Sequence, residues 1–177
     1  MTGPERRDGP AAILIGPPGA GKSTVGPLLA ALLGVRFMDT DDAVAAVAGK
    51  PVGEIFIDDG EAAFRGMERE AVAEAITGHR GVLGLGGGAV LDPHTQSLLA
   101  RQRVVYLATG FAVLAKRVGM DAPRPLLAAN PRALLRSLLE QRLPVYEKLA
   151  WLTVSTDGRE PDEIAAGIAA EITGAAR

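Results

Sequence analysis

Residues 16–24 read GPPGAGKST and follow an apolar run, AAILI, at residues 11–15. The stretch matches the pattern G-x-x-x-x-G-K-[ST], with Lys22 and Ser23 at its last two positions. When this pattern lies between a strand and a helix, it is typical of a phosphate-binding loop. Glycines let consecutive amides turn toward one anion, and the helix N-terminus adds partial positive charge. The lysine can reach the β- and γ-phosphates of a nucleotide, and the hydroxyl can ligate Mg²⁺. A plain glycine turn is the alternative, but such a match arises by chance in only about one per cent of chains, so the stretch predicts nucleotide binding.

Composition narrows the class of protein. The 177 residues are 47% hydrophobic and 23% charged, with a net charge of -2, which suits one domain with a single core. That charge gives no polycationic footprint, so nucleic acid and anionic membranes are not expected partners. The chain has no cysteine, which excludes disulfides and Cys-ligated metals. No apolar stretch approaches the roughly 18 residues of a membrane span, and the first ten residues lack a signal-peptide core. We therefore expect a cytoplasmic protein that acts as a monomer.

Strand and helix patterns alternate along the chain. Predicted strands cover residues 11–15, 35–39, 81–90 (ending in glycines), 104–107 and 151–156, and predicted helices cover residues 21–33, 61–76, 93–100, 111–118, 132–149 and 161–172, with one more helix capped within DTDD at residues 39–42. This alternation predicts right-handed βαβ units, and hence a three-layer α/β/α sandwich with a mainly parallel central sheet.

The sequence also predicts the domain boundaries and two helices disturbed by proline. Residues 1–10 are predicted to be a flexible tail, residues 11–172 a single domain with a mobile lid at about residues 119–130, and residues 173–177 a C-terminal tail. Pro27 removes a backbone hydrogen bond and should bend the first helix, and Pro144 should disrupt the long one.

Two carboxylates follow the second predicted strand. Asp39 and Asp41 in MDTDD fall at the sheet edge where doubly wound folds bind ligands. One carboxylate could support Mg²⁺ while the other accepts a hydrogen bond from an acceptor hydroxyl. The alternative is that Thr40, Asp41 or Asp42 only caps the next helix.

Further candidates lie on helices and loops. Arg65 and Glu68, three residues apart on one helix, either form an ordinary surface ion pair or orient the arginine toward an anionic substrate. Residues 86–88 are three glycines that form either a tight turn or a place where a ligand meets backbone. Arg124, between two prolines, is either a lid guanidinium that closes over phosphates or an exposed loop residue. Arg142, two residues before Pro144, is a further candidate, and the alternative is that it is only an exposed helix residue.

Six segments together point to one family. GPPGAGKST, DTD, GEAAFRGME, GGGA, RPLL and RLPVY occur in this order, and the set resembles shikimate kinases from about residue 11 to residue 172. The phosphate-binding loop alone is shared by many enzymes, whereas the joint set is much more specific. Gly66 and Pro27 depart from the usual pattern without touching a proposed contact.

The resemblance implies an activity and a set of roles. It implies ATP- and Mg²⁺-dependent phosphorylation of the 3-hydroxyl of shikimate, a small-molecule substrate of aromatic amino acid biosynthesis, in a P-loop kinase fold with a mobile lid. The implied catalytic residues are Lys22, Asp41 and Arg124, and the implied metal ligands are Ser23 and Asp39. The implied nucleotide-binding residues are Gly19, Ala20, Gly21, Lys22, Ser23, Thr24, Arg117, Arg124, Arg159 and Pro161. The implied shikimate-binding residues are Asp41, Arg65, Gly86, Gly87, Gly88 and Arg142.

Other functions stay open on the residues alone. A second small kinase, for gluconate or a nucleoside monophosphate, shares the phosphate-binding loop, although the arginine pair and GGGA argue against it. An ATP-binding regulatory module would be expected to lack the catalytic positions, which are present here. A GTPase is disfavoured because no N-K-x-D motif occurs in the sequence.

Overall fold

A computed structural model describes residues 9–119 and 130–174. The strands are β1 (Ala12–Ile15), β2 (Phe37–Asp39), β3 (Val82–Gly84), β4 (Val104–Ala108) and β5 (Leu152–Ser155). The helices are α1 (Lys22–Leu33), α2 (Thr40–Ala48), α3 (Val52–Asp58), α4 (Glu61–Gly78), α5 (Pro93–Leu99), α6 (Phe111–Arg117), α7 (Pro131–Leu149) and α8 (Pro161–Gly174), with a short 3₁₀ turn at Ala89–Leu91.

The five strands form one parallel sheet in the order β2-β3-β1-β4-β5. The central strand β1 places Ile13 between Leu83 of β3 and Val104 of β4. All four residues of β1 are fully buried, as expected for a parallel strand covered on both faces. The predicted three-layer α/β/α sandwich is confirmed.

The two faces of the sheet carry separate halves of the core. On one face, Leu14 packs with Leu29 of α1 and Ile168 of α8. On the other, Ile13 packs with Val72 of α4 and with residues of α5 and α7. Alternate residues of β1 point to opposite faces because the side-chain period of a strand is two, so helices on both sides are fixed to the same strand.

Two features of the helices differ from the sequence prediction. No helix is predicted between residues 49 and 60, yet α3 forms there because buried Ile55 packs with Val44 and Phe64. Helix α7 covers the predicted residues 132–149, so the disruption expected at Pro144 does not end the helix. Pro144 is exposed, so water can pair with the backbone carbonyl that the proline leaves without its donor.

Helices α1 and α8 agree with the sequence prediction except in detail. Helix α1 runs through exposed Pro27, and the bend expected there stays a prediction. Helix α8 ends at Gly174, slightly beyond the predicted boundary at residue 172. Across the described parts of the chain, none of the helices combines the length and apolar character that a membrane crossing needs.

Candidate active site

The loop between β1 and α1 is built from backbone. Gly19 and Gly21 have φ angles of 83° and 101°, in the left-handed region that glycine adopts without steric cost. Gly21 is the N-cap of α1, and no side chain caps this helix. The first-turn amides and the positive end of the helix dipole are therefore directed at whatever lies over the loop. This is the geometry of an anion-binding loop.

Lys22 lies within this loop, beside two carboxylates. Its Nζ donates hydrogen bonds to the carbonyls of Gly16 at 2.7 Å and Pro17 at 3.0 Å. Burial lowers the pKa of Lys22 to about 8, although Asp39 and Asp41 nearby oppose the shift. Phosphate oxygens over the loop would add negative charge and favour the protonated ammonium.

A cavity of about 490 Å³ lies over the loop. It is lined by most of the residues predicted to hold a nucleotide, namely Gly19, Ala20, Gly21, Lys22, Ser23, Thr24, Arg117, Arg159 and Pro161. Arg117 donates from Nη1 to the Gly19 carbonyl at 3.1 Å, which ties α6 to the loop. Arg124 lies outside the described residues. The structure thus brings the described members of the predicted nucleotide set to one cavity.

Asp39 and Asp41 also line that cavity. Asp39 is the N-cap of α2, and its Oδ1 accepts a hydrogen bond from the Asp41 amide at 2.8 Å. The capping role considered for Thr40, Asp41 or Asp42 therefore belongs to Asp39. Capping occupies the oxygen Oδ1 of Asp39 and leaves the side chain of Asp41 free for another role.

The Asp41 carboxylate is partly desolvated and surrounded by negative charge. Burial raises its pKa to about 6, and the nearby carboxylates of Asp39 and Glu68 add to the shift. Among the described residues, no hydrogen-bond donor reaches its buried Oδ1. A buried acceptor without a partner is costly, so this atom fits a ligand hydroxyl that donates to it.

A second cavity, also of about 490 Å³, contains both candidate arginines of the acid-binding site, Arg65 and Arg142. Arg65 donates from Nη1 to Oε2 of Glu68 at 2.7 Å, and Glu61 lies 3.5 Å from Nη2. Only 3% of Glu68 is exposed. A surface ion pair would leave both partners in water, so the buried glutamate favours the second interpretation, in which it orients the arginine.

Arg142 reaches the same cavity from α7. It is 9% exposed, so the alternative of an exposed helix residue is wrong. Within the described ranges, its buried Nε has no hydrogen-bond partner. A guanidinium that is buried without full pairing favours a bound anion, and the planar fork of arginine suits a carboxylate.

The three glycines that follow β3 explain how these side chains come so close. A Cβ on Gly86 would lie 2.6 Å from Oδ1 of Asp41 and 2.7 Å from Oε1 of Glu68, and a Cβ on Gly88 would lie 2.6 Å from both terminal nitrogens of Arg65. Real Cβ atoms do not approach so closely, so a larger residue at Gly86 or Gly88 would displace the ends of these side chains. Glycine therefore lets the functional side chains pack directly on backbone.

Gly87 joins the two cavities. A Cβ there would lie 2.8 Å from Cδ of Pro18, in the phosphate-binding loop, and 3.4 Å from Nη1 of Arg142. Gly86 and Gly87 line the first cavity, and Gly88 lines the second. The three-residue segment, which we call the glycine turn (Gly86–Gly88), is therefore the common wall of the two cavities.

Two hydroxyl groups at the glycine turn were not assigned a site role from sequence. Thr40 Oγ1 accepts a hydrogen bond from the Gly86 amide at 3.2 Å, and Tyr146 donates from its hydroxyl to the Gly87 carbonyl at 2.5 Å. Both residues lie inside the quoted segments DTD and RLPVY. The spacing of Tyr146, four residues after Arg142 on one helix, is the signal that places both side chains on the same face.

The donor set fits a metal ion that arrives with a nucleotide. In the described ranges, no group of three or more His, Cys, Asp or Glu side chains could hold an ion. Ser23 and Asp39 line the loop cavity together. Mg²⁺ is commonly bound through one or two such oxygen ligands, several waters and the phosphates themselves, so these two residues are suited to it.

Comparison with known proteins gives a consistent result. The family model described as shikimate kinase matches residues 18–173. A shikimate kinase from Thermobifida fusca is 57% identical, over 94% of this chain and 96% of the relative, and one from Saccharopolyspora erythraea is 54% identical, over 93% and 94%. The solved structure of a shikimate kinase from Acinetobacter baumannii in complex with shikimate superposes with a TM-score of 0.86 at 36% identity, covering 96% of this chain and 95% of that one. Because the family model spans most of the chain and the relatives are similar almost end to end, this chain belongs to the shikimate kinase family.

Proposed function

We propose that the two cavities form one active site that transfers the γ-phosphoryl group of ATP to the 3-hydroxyl of shikimate, giving shikimate 3-phosphate and ADP. The observation that carries this proposal is the common wall: Arg65 and Arg142 converge on a cavity that adjoins the phosphate-binding loop at the glycine turn. One face of the wall suits a triphosphate and the other suits a small carboxylic acid.

On the nucleotide side, the loop amides and Lys22 hold the phosphates. Arg117, Arg159 and Pro161 line the same cavity and flank the rest of the nucleotide. Ser23 and Asp39, which line this cavity, would hold Mg²⁺ together with the phosphates. When bound, the ion neutralises charge on the phosphates and orients them for in-line attack.

On the acid side, Arg65 and Arg142 bind the shikimate carboxylate, with Glu68 fixing Arg65. Two guanidinium groups provide planar, multiply hydrogen-bonded recognition that lysine does not reproduce. Asp41 accepts a hydrogen bond from the 3-hydroxyl and takes its proton as the oxygen attacks phosphorus. A general base is most effective when its pKa lies near the working pH, and a pKa raised to about 6 serves that purpose.

The proposed lid, at about residues 119–130, rests on the sequence. Arg124 supplies positive charge at the γ-phosphoryl when the lid closes, which also keeps water from hydrolysing ATP. By analogy with arginine fingers, Arg124→Ala lowers kcat by about 10³-fold and raises the KM for ATP much less. Equal losses in both parameters would indicate a plain binding contact.

The decisive experiment is an ADP-release assay with MgATP and three acceptors. We expect turnover with shikimate and at most slow turnover with gluconate or AMP, with ADP release from the Lys22→Ala variant reduced by at least about 10²-fold. Faster turnover of gluconate or AMP would indicate a different small kinase. ATP binding by calorimetry without turnover of any acceptor would indicate a regulatory module.

We also propose that the protein works as a cytoplasmic monomer with no nucleic acid or membrane partner. The near-neutral charge, -2 over the chain, supports this because it offers no basic surface for polyanions. Both proposed substrate cavities are lined by residues of this one chain. Light scattering after size exclusion should give about 18.3 kDa, and a mass twice as large would contradict the monomer.

A further inference from the structure

The glycine turn is held from two sides by buried hydroxyl groups. Thr40, the first residue of α2, accepts from the Gly86 amide, and Tyr146 of α7 donates to the Gly87 carbonyl. Thr40 is fully buried and Tyr146 is 1% exposed. Because water does not compete at buried groups, each hydrogen bond fixes the peptide that it contacts.

The position of the turn determines the position of the functional side chains. Asp41 and Glu68 pack against Gly86, and Arg65 packs against Gly88. A carbon added to Gly86 or Gly88 would displace the ends of these side chains. A shift of the turn by a few tenths of an ångström therefore changes the distance between the carboxylate that accepts the hydroxyl and the guanidinium that holds the acid.

Tyr146 is itself held rigidly. Its ring stacks on Tyr106 of β4 with centroids 5.1 Å apart and an interplanar angle of 20°. Burial raises the pKa of Tyr146 to about 12, and nearby Arg142 only partly opposes the shift. The hydroxyl therefore stays a neutral donor throughout the pH range of an assay, and it lies one helical turn from Arg142 on the same helix.

We propose that Thr40 and Tyr146 are positioning residues for acid recognition and phosphoryl transfer. Thr40 ties the glycine turn to the helix that carries Asp41, and Tyr146 ties it to the helix that carries Arg142. The two hydroxyls thereby set the spacing between the reacting hydroxyl and the bound carboxylate. This inference rests on the proposed function of Arg65 and Arg142 as the acid-binding pair.

The first test compares Tyr146→Phe with Tyr106→Phe. Both variants remove one hydroxyl from the same stacked pair, but only Tyr146 bonds to the glycine turn. We expect Tyr146→Phe to raise the KM and the calorimetric Kd for shikimate by about three- to tenfold, the range of one hydrogen bond. The KM for ATP should change less than about twofold, and Tyr106→Phe should leave all three constants within about twofold. An unchanged shikimate KM, or an equal rise for both substrates, would overturn the proposal.

The second test uses two variants of Thr40, which do not depend on the stability of Tyr146→Phe. Thr40→Val preserves shape but leaves the Gly86 amide without its acceptor, whereas Thr40→Ser keeps a hydroxyl. We expect Thr40→Val to lower kcat/KM for shikimate by about tenfold or more and Thr40→Ser to restore it to within about twofold. Equal losses for Val and Ser would overturn the role of the hydroxyl.

The Arg65→Ala variant, measured in the same series, separates this inference from the proposed function. If wild type turns over shikimate and Arg65→Ala raises its KM, the acid-binding site stands. Unaffected Tyr146→Phe and Thr40→Val variants would then reject the positioning role alone. If Arg65→Ala leaves the shikimate KM unchanged, the acid-binding site fails, and the positioning role fails with it.

Discussion

The two cavities recognise anions by different means. The phosphate-binding side uses backbone amides from one contiguous stretch at residues 16–24, where glycines with positive φ shape the loop. The acid-binding side uses side chains of Arg65 on α4 and Arg142 on α7, which come together only because both helices cover the same face of the sheet. Backbone recognition suits a phosphate chain common to many reactions, and side-chain recognition suits one particular acid.

This difference predicts two kinds of mutational effect. Changes on the phosphate side should lower the rate with every acceptor, because they act on the group that is transferred. Changes on the acid side should mainly raise the KM for shikimate, because they act on a carboxylate that does not react.

Among the residues that the structure describes, the largest expected effect is that of Lys22→Ala. The ammonium is proposed to stabilise charge on the transferring phosphoryl group, so kcat should fall by about 10²- to 10³-fold, with a much smaller change in the KM for shikimate. Lys50→Ala is the matched control, since Lys50 pairs with Asp58 and Asp59 away from the site. Near-normal turnover by Lys22→Ala would refute the role.

The second-largest kinetic effects are expected from Arg65→Ala and Arg142→Ala. Each removes a charged hydrogen-bond donor from the proposed carboxylate site, so the KM for shikimate should rise about 10- to 100-fold, while the KM for ATP should stay within about threefold. Arg142→Lys should recover little of the loss because a lysine cannot form the planar pair. Steady-state kinetics with each substrate varied in turn would show this, and a matching rise in both KM values would remove the distinction between the two sides.

A smaller effect is expected from Gly88→Ala. The added Cβ would lie 2.6 Å from the Arg65 guanidinium, and because this group ends a flexible side chain, it would move aside. We expect the KM for shikimate to rise by about three- to tenfold. Gly66→Ala is the control, since nothing lies within 4 Å of a Cβ there. It should preserve kinetics and slightly stabilise α4. Identical kinetics for the two variants would argue against close packing at the turn.

The phosphate-binding side of the site could be predicted from the sequence, and the acid-binding side could be predicted only in part. The phosphate-binding loop is local, so its motif, its strand and its helix were all readable. The spacing of Arg65 and Glu68 makes Arg65 a candidate for binding an anion, but only the family resemblance pairs Arg65 with Arg142, since their spacing in the chain says nothing of a shared cavity. Burial of Glu68 and Arg142 depends on how α4 and α7 pack, which no local pattern encodes.

Dependence on tertiary packing also explains where the structure differs from the sequence prediction. Continuation of α7 through Pro144 depends on the solvent exposure of that face. Helix α3 forms because Ile55 finds a buried partner in Phe64, although the glycines and the proline around it disfavour a helix. The contacts of Thr40 and Tyr146 with the glycine turn are tertiary, so the sequence does not predict them. The spacing of Tyr146 from Arg142 indicates only that the two side chains share a helix face.

The smallest predicted effect concerns stability. The pKa of Asp41 is raised to about 6 by burial and by neighbouring carboxylates, so the folded state binds this proton more tightly than the unfolded state does. The charge of Asp41 therefore costs stability increasingly as pH rises toward and through 6. Without nucleotide and Mg²⁺, Asp41→Asn should be more stable than wild type at pH 8 by on the order of 1 kcal/mol after allowing for solvent screening, and the difference should vanish near pH 4. Thermal melts at the two pH values test this, and an equal difference at both would exclude the linkage.

The central claim is that one wall of glycines separates a nucleotide from an acid within a single site. A crystal structure of the wild-type protein with ADP, Mg²⁺ and shikimate tests it most directly. We predict the shikimate carboxylate within hydrogen-bonding distance of both Arg65 and Arg142, and its 3-hydroxyl within hydrogen-bonding distance of Asp41. A carboxylate bound away from the two arginines, or a 3-hydroxyl directed away from Asp41, would contradict the claim.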